Sequence, residues 1–368
     1  MRKVFINSIG TANPGHKIPQ KKIAEYMVEA LAMNSGEASR LHHLYEATGI
    51  SHRYSILPDF NGAGEKFVLF PRHNHTPEPT VAERMAVYEK EALALSVAAV
   101  EDCIRQVEGF EAGSVTHLLT VSCTGMYAPG LDIELLERLG LNSSVHRTAI
   151  NYMGCYAAIN ALKIADAICR AEENATVLMV CVELCSLHFQ RISGRNHVVS
   201  NALFSDGAAA VLISTSPDTL PSLSIEQFNC EVISNGSKDM AWHISDFGFE
   251  MTLSAYVPEM IKGGIRSLTH RLLERSDLKL EMVDLFAIHP GGRKILEVIE
   301  EELDITSYDN RYAYSVLEQF GNMSSPTVLF VLKELMLHLE KGDNEKSVLS
   351  FAFGPGLTLE SMLLKVRN

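Results

Sequence analysis

The sequence predicts an α/β protein made of two fused halves, each with mostly parallel central strands between helices. Apolar strand patterns alternate with helical patterns along the whole chain. The second half repeats the order of the first, with 32 residues from Cys123 to Cys155 and 33 from His289 to Asn322. A chain of 368 residues also exceeds what one hydrophobic core usually supports. We therefore divide the chain into halves at residues 1–215 and 216–368.

Continuous apolar runs in the first half predict strands that are covered on both faces. Thr80 and Glu83 form a capping-box pattern, which predicts the start of a long helix. The predicted elements are a strand at 3–12, helical structure at 19–47, a long Pro-, Gly- and His-containing loop at 57–79, a helix at 80–107, a strand at 116–122, a helix at 132–139, a strand at 148–152, a helix from about 155, and strands at 175–182 and 208–213.

The second half shows the same alternation, beginning with a buried strand that ends at a histidine. The predicted elements are a strand at 283–288, a helix at 294–302, a short strand near 313–315, a helix at 326–339 and a strand at 348–352. The repeated order is the pattern expected of an internal duplication.

The composition excludes several classes of function. Of the residues, 46% are hydrophobic and 21% charged, which is typical of globular proteins. A net charge of −13 argues against a general nucleic-acid or anionic-membrane surface. No apolar stretch is long enough to cross a bilayer, and no signal-peptide pattern occurs. The seven cysteines are scattered without a C-x-x-C pair, so we expect a reduced, cytoplasmic protein with no metal.

Cys155 lies where an Ala-rich, mostly buried helix is predicted to begin. The first turn of a helix presents unpaired N–H groups and the positive end of the helix dipole. A thiol in that position is expected to have its pKa lowered from about 8.5 to about 3.5–7.5, which makes a thiolate available near neutrality. The alternative is that Cys155 is only a small core residue.

Two further polar residues lie close to predicted element ends. His289 directly follows the strand at 283–288, and Asn322 lies in a Gly-Asn-Met-Ser-Ser turn, where the alternative is a helix cap. Ligands of α/β sheets bind at the carboxyl ends of the strands. We therefore expect Cys155, His289 and Asn322 to share one crevice.

The order Cys, His, Asn allows two reactions. In a papain-type hydrolase, the histidine deprotonates the cysteine and the asparagine orients the histidine. In acyl transfer with carbon–carbon bond formation, the thiolate takes an acyl group from a thioester, while His and Asn stabilise an enolate or alkoxide. The Met-Gly-Cys-Tyr context differs from the papain signature and disfavours the hydrolase.

Five motifs together resemble those of the thiolase superfamily and, within it, the type III polyketide synthases of the chalcone-synthase type. They are Gly154-Cys155 as the nucleophile step, Ala202–Ala210 with Phe204 at the gatekeeper position, His289-Pro-Gly-Gly292, Gly321-Asn-Met-Ser-Ser325, and Phe353-Gly-Pro-Gly-Leu-Thr-Leu-Glu360. The motifs occur in the family's order along nearly the whole chain.

The resemblance implies a thiolase-like fold, in which two duplicated halves stack as a layered αβαβα core. It implies that Cys155 accepts a starter acyl group from coenzyme A, and that malonyl-CoA loses carbon dioxide to leave an enolate held by His289 and Asn322. A charged His289 would also stabilise the thiolate as an ion pair. Phe204 would favour decarboxylation by leaving the malonyl carboxylate poorly solvated. The resemblance further implies a homodimer, and no cofactor beyond the coenzyme A thioester substrates.

Several positions depart from the family pattern around the expected cavity. Trp242 stands where many members have a glycine, His188 where a threonine is common, and Met251 where a second gate phenylalanine is usual; Ser324 matches the family serine. Gly354, Pro355 and Gly356 allow a close backbone approach, to the intermediate or to the cysteine loop. Of the family's basic residues at the coenzyme A entrance, Arg40 corresponds to one, and Arg293 and Lys294 are further candidates for phosphate contacts.

The function that we expect is therefore condensation of an acyl-CoA starter with malonyl-CoA. We hypothesise that Trp242 and His188 shrink the cavity, so that few extensions occur and the product is a pyrone or a short resorcinol. The main alternative is the ketosynthase that starts fatty-acid synthesis, which shares Cys, His and Asn but uses a carrier protein. A cysteine hydrolase is a more distant alternative.

Overall fold

The computed structural model describes residues 2–61, 67–71, 77–219, 221–254 and 256–368. Residues 62–66 and 72–76 of the predicted long loop lie outside the described residues. In chain order the strands are β1 (Phe5–Ala12), β2 (His16–Pro19), β3 (His52–Ser55), β4 (His117–Ser122), β5 (His146–Asn151), β6 (Thr176–Leu184), β7 (Asp206–Ser214), β8 (Ser222–Val232), β9 (Met240–Ser245), β10 (Gly248–Leu253), β11 (Leu285–Ile288), β12 (Ser347–Gly354) and β13 (Thr358–Arg367). The helices are α1 (Gln20–Ala30), α2 (Ser35–Ala47), α3 (Val81–Ile104), α4 (Leu131–Leu139), α5 (Ala157–Ala171), α6 (Arg195–Leu203), α7 (Val257–Glu274), α8 (Arg293–Leu303), α9 (Arg311–Phe320) and α10 (Thr327–Leu337).

The main sheet has nine strands in the order β11-β12-β13-β8-β1-β7-β6-β4-β5. Outward from the β8–β1 junction, the succession β8, β13, β12, β11 mirrors β1, β7, β6, β4, as an internal duplication predicts. The division of the chain at residues 215 and 216 stays a proposal.

The predicted mostly parallel centre of the sheet is wrong. In the main sheet as described, only β4 with β5, β4 with β6, and β11 with β12 pair in parallel. The centre, from β12 through β13, β8, β1 and β7 to β6, is antiparallel. Strands β12 and β13 are joined by the short turn Pro355–Leu357, and so tight a connection permits only antiparallel pairing.

Helices separate the two halves of the sheet into layers. Helix α5 contacts β4, β6 and β7 of the first half and β13 of the second, while α10 contacts β1, β7 and β11. Helix α3 packs on the outer side of the first half, and α7 on β8 and β13. The result is a layered αβαβα core with α5 and α10 in the middle. Small residues such as Ala157, Ala158 and Ala161 let α5 fit between two sheets, which explains its Ala-rich sequence.

Most predicted elements are confirmed, including the capping box in which Thr80 and Glu83 bond each other's backbone N–H groups at the start of α3. The short strand predicted near residues 313–315 is wrong, because these residues lie inside α9. Tyr312, Ala313, Val316 and Leu317 are all buried, which is the spacing of a helix face. The antiparallel pair β2–β3, the hairpin β9–β10, strands β8 and β13, and helices α6 and α7 were not predicted.

Candidate active site

Cys155 lies in the turn between β5 and α5 and is 7% exposed. Gly154 before it has φ +82° and packs so closely on Pro355 that a Cβ there would lie 2.2 Å from the proline Cδ. A Cβ on Gly354 would likewise lie 2.6 Å from Cδ1 of Tyr156. Gly354 and Pro355 therefore contact the cysteine loop, which was one of the two contacts left open by the sequence, and Gly356 completes their turn with φ +78°.

Asn322 is held on both its backbone and its side chain. Its N–H donates to Leu203 O at 3.0 Å, and its carbonyl accepts from Ser205 N at 2.9 Å. The side-chain Oδ1 accepts from Ser324 N at 2.8 Å, and Nδ2 donates to Gly291 O at 3.2 Å. Pro326, and not Asn322, is the N-cap of α10. The carboxamide therefore joins the asparagine turn to the turn that follows His289.

The Ser324 and Asn322 side chains lie near the Cys155 thiol and favour its ionised form. Burial is nevertheless the larger effect, and together with the nearby Glu183 carboxyl it raises the pKa of Cys155 to about 11. The predicted lowering of this pKa by the helix start is therefore wrong, because the loss of water around the thiol outweighs the effect of the helix N-terminus.

His289 directly follows β11, and its N–H donates to Phe351 O of β12 at 2.8 Å. The side chain is 1% exposed, and neither ring nitrogen has a hydrogen-bond partner among the described residues. Burial lowers the pKa of His289 to about 3. A charged His289 is therefore not the resting state, and the site holds a neutral thiol and a neutral imidazole.

Glu183, near the end of β6, is a buried acid that the sequence analysis missed. Its carboxyl accepts hydrogen bonds from Cys123 N at 2.9 Å, Thr124 Oγ1 at 2.8 Å and Ser325 Oγ at 2.7 Å. Burial raises its pKa to about 7 despite these donors. The signal in the sequence was a lone acid inside the apolar run of β6, where an unpaired charge is costly.

A cavity of about 70 Å³, here called the inner chamber, adjoins the Cys155 thiol. Its walls include the predicted pocket residues Phe204, His188, Trp242, Met251, Ser324 and Pro355. Gly354 and Gly356 are not in that wall; Gly354 supports the cysteine loop from behind.

His188 and Trp242 do more than occupy space in the chamber wall. His188 Nδ1 accepts from Phe249 N at 2.9 Å, so Nε2 carries the proton and donates to Thr124 O at 2.7 Å. Burial lowers the pKa of His188 to about 3, which keeps this neutral form. Trp242 Nε1 donates to Cys123 O at 2.8 Å. Both side chains thus tie the chamber wall to the loop after β4.

A second cavity of about 850 Å³, here called the outer cleft, contains all three predicted coenzyme A contacts, Arg40, Arg293 and Lys294. All three side chains are exposed. Leu203 lines the cleft and Phe204 lines the inner chamber. Gly291, which accepts the Asn322 hydrogen bond, also lines the cleft. The segments that carry the site residues therefore form the wall between the two cavities.

The amino-terminal end of α8 forms one side of the outer cleft and carries two basic residues. Arg293 Nε lies 3.1 Å and Lys294 Nζ 3.4 Å from the carboxylate of Glu297 on the same helix. These exposed ion pairs are weak, so both cations remain available to an anionic ligand. The helix N-terminus adds its positive end to the same wall.

Both halves of the chain match models of one protein family. Residues 2–217 match the N-terminal domain of chalcone and stilbene synthases, and residues 224–367 match the C-terminal domain. The chain therefore belongs to the chalcone and stilbene synthase family of type III polyketide synthases, and it has their thiolase-like fold.

Individual relatives agree along the full length. The chain is 30% identical over 366 residues to the alpha-pyrone synthesis polyketide synthase-like Pks18 of Mycobacterium tuberculosis, covering 98% of this chain and 91% of that protein. It is 29% identical to the putative chalcone synthase of Bacillus subtilis, covering 98% of each. The crystal structure of PKS-I from the brown alga Ectocarpus siliculosus is similar with a TM-score of 0.92 and 28% identity, covering 99% of this chain and 98% of that one.

The described part of the chain has neither a membrane-spanning helix nor a cluster of metal ligands. No helix there is both long enough and apolar enough to pass through a bilayer. No group of three or more His, Cys, Asp or Glu side chains in those residues is arranged to hold a metal ion.

Proposed function

We propose that the protein loads an acyl group from a coenzyme A thioester onto Cys155 and extends it by decarboxylative condensation with malonyl-CoA. The observation that carries this proposal is the position of the Cys155 thiol on the inner chamber near the Asn322 carboxamide, which donates to Gly291 O, two residues after the buried imidazole of His289, which is unpartnered among the described residues. The family membership and the similarity to Pks18 support the same class of reaction.

In the loading step, the Cys155 proton passes to His289 as the sulfur attacks the thioester carbonyl. The coenzyme A thiolate leaves and takes up that proton, so one thioester replaces another. Because burial keeps both residues neutral, we propose that the ion pair forms during this step and is absent beforehand. The free nitrogens of His289 leave it able to accept the proton.

In the extension step, malonyl-CoA loses carbon dioxide, and the electrons of the broken bond form an enolate. The enolate carbon attacks the acyl-Cys155 carbonyl and releases the sulfur. Asn322 Nδ2 and a ring N–H of His289 are the donors proposed for the enolate oxygen, and each such donor is typically worth about 2.7–4 kcal/mol. Phe204 presents an apolar wall of the chamber, which favours loss of a charged carboxylate as a neutral molecule.

The size of the inner chamber supports a short product. Its volume of about 70 Å³ is small beside the 850 Å³ of the outer cleft. Ile18, Ile23, Phe60 and Phe189 also line the chamber, so we propose an apolar starter, few extensions, and a pyrone or short resorcinol product. The width of the outer cleft and its basic residues Arg40, Arg293 and Lys294 suit the phosphates of coenzyme A.

The proposal includes a homodimer. Among the described residues, strand β5 pairs only with β4 and forms one edge of the main sheet, and the side chains of residues 146–149 on it are exposed. An unprotected edge strand is a ready surface for pairing with another chain. Light scattering behind size exclusion should give twice the chain mass of 40.6 kDa, and a single-chain mass at micromolar concentration would contradict the dimer.

The experiment that tests the function is mass spectrometry of products from a panel of acyl-CoA starters with malonyl-CoA. Pyrones or short resorcinols from apolar starters are expected, whereas tetraketide or longer products from bulky aromatic starters would contradict the small cavity. Trp242→Gly should lengthen the products, because it removes both the indole and its bond to Cys123 O. Unchanged products would refute the role of Trp242.

The same assay separates the alternatives. A ketosynthase that starts fatty-acid synthesis would turn over malonyl-carrier protein in preference to malonyl-CoA. A cysteine hydrolase would release the starter acid from acyl-Cys155 without consuming malonyl-CoA. Either result would replace the proposed function.

A further inference from the structure

Arg53 is a buried guanidinium in β3 that no motif marks as functional. It is 5% exposed and lines the inner chamber. Its Nη1 donates to the Phe204 carbonyl at 2.7 Å, and its Nε donates to Gln20 Oε1 at 2.8 Å. Gln20 Nε2 in turn donates to Ala202 O at 2.8 Å. Arg53 and Gln20 thus hold two carbonyls of the segment 202–204, which ends α6 and presents Phe204 to the chamber.

The stem of the same side chain packs on the turn before Asn322. Gly321 has φ +70°, and a Cβ there would lie 2.9 Å from Arg53 Cγ and 3.1 Å from Leu203 O. The Asn322 N–H reaches Leu203 O, and the Asn322 carbonyl accepts from Ser205 N. Arg53 therefore lies against both strands of the short bridge that pairs Phe204 with Asn322.

Hydrogen bonds of β3 and of the residues on either side of it hold Arg53 in this position. Tyr54 N donates to Ser205 Oγ at 2.9 Å, and Ile56 N donates to a carboxylate oxygen of Asp206 at 2.7 Å. Ser51 N reaches Glu318 O of α9 at 2.8 Å, so the strand is joined to both segments. Arg53 is thus held between the Phe204 segment and the Asn322 turn. Among the described residues it makes no hydrogen bond to the Cys155 side of the chamber.

We infer that Arg53 is a positioning residue that sets the Phe204 ring and the Asn322 carboxamide relative to each other, and thereby serves the condensation step without serving the loading step. This inference rests on the proposed function, because it assigns Asn322 and Phe204 to the malonyl-derived enolate. Loading depends on the thiol and the imidazole, to which Arg53 makes no hydrogen bond among the described residues. Displacement of an aligned group by about 1 Å can cost about 100-fold in rate.

The test compares Arg53→Met, which keeps an apolar stem over Gly321, with Arg53→Lys, which keeps the charge. Arg170→Met is the matched control, because Arg170 also donates to main-chain carbonyls, of Arg2 and Ile225, but lies at the far end of α5. For Arg53→Met, polyketide formation should fall about 10- to 100-fold, while the initial rate of Cys155 acylation stays within about twofold. Arg53→Lys should recover part of the loss, and Arg170→Met should show none.

Hydrogen–deuterium exchange supplies a measurement that needs no substrate and also serves if Arg53→Met is poorly folded and only Arg53→Lys is usable. Amides of 202–206 and 320–324 should exchange faster together in the Arg53 variants and not in Arg170→Met. Unchanged exchange in both segments, or equal losses of acylation and condensation, would overturn the inference. A wild-type protein that makes no polyketide would instead refute the proposed function and leave the exchange result to decide the role of Arg53.

Discussion

The inner chamber and the outer cleft lie on opposite sides of the segments that carry the site residues. They differ in whether their ionisable side chains are neutral or charged. In and behind the chamber, burial raises the pKa of Cys155 and Glu183 and lowers the pKa of His188 and His289. Both directions favour the neutral form of the side chain. In the cleft, Arg40, Arg293 and Lys294 are exposed and charged. Under the proposed function, this contrast assigns recruitment of an anionic carrier and bond formation to separate environments, so variants on the two sides should change different kinetic quantities.

The largest effect is expected from Asn322→Ala on the chamber side. Removing one preorganised donor to the enolate should lower condensation by about 100- to 1000-fold. Loading of Cys155 should persist, because the thiol and imidazole remain. Single-turnover assays with labelled starter measure both steps, and equal loss of both would show that Asn322 serves the fold and not the enolate.

The pH dependence of the reaction between Cys155 and iodoacetamide tests whether the chamber keeps the thiol neutral. Because burial raises the pKa of Cys155 to about 11, the thiolate fraction should grow about tenfold per pH unit and about 100-fold from pH 7 to pH 9. Peptide mapping distinguishes Cys155 from the exposed Cys230. A rate that is already flat at pH 7 would indicate a preformed thiolate–imidazolium pair and would contradict the neutral resting state.

The pH dependence of stability tests how strongly burial disfavours the charged form of Glu183, which lies behind the thiol. Its pKa is raised from 4.5 in the unfolded chain to about 7, so the neutral native form is favoured at low pH. Stability from this group is present below about pH 4.5 and is lost as pH rises to about 7, by roughly 3 kcal/mol. Glu183→Gln should lack this dependence, which urea unfolding of both proteins at pH 4.5 and pH 8 measures. Parallel curves for the two proteins would show that Glu183 is ionised throughout.

The smallest effect is expected on the cleft side. Lys294→Ala removes one exposed cation, which already pairs with Glu297, so KM for malonyl-CoA should rise only about two- to fivefold with kcat nearly unchanged. Added salt should weaken binding less in the variant than in the wild type. Lys341→Ala, in the short 3-10 helix Lys341–Asp343, which is not part of the cleft lining, is the control. A fall in kcat without a change in KM would place Lys294 in the chemistry and break the division between the two cavities.

Many residues of the candidate site could be predicted because they lie at the ends of strands or helices. Cys155 and His289 each follow a strand that the apolar pattern shows, and Asn322 follows a glycine turn. Arg40, Arg293 and Lys294 also meet in one cleft. These positions depend on local pattern and repeat order, which the sequence contains.

The remainder depends on tertiary packing. Arg53 and Glu183 are isolated charged residues whose partners lie far away in the chain, so no local spacing marks them. The direction of the Cys155 pKa was predicted wrongly because the helix start is a local feature, whereas burial between two half-sheets is not. Residues 313–315 were assigned to a strand because a short apolar run does not distinguish a strand from one face of a helix.

The most direct test of the central claim is the mass of the protein after incubation with one starter acyl-CoA alone, followed by peptide mapping. Cys123 and Cys185 provide internal comparisons, because they are buried thiols that line the same chamber. The starter acyl group should be found on Cys155 and should disappear when malonyl-CoA is added, with a polyketide appearing in equal amount. Polyketide formation by Cys155→Ala, or an acyl group carried by Cys123 and absent from Cys155, would contradict the account.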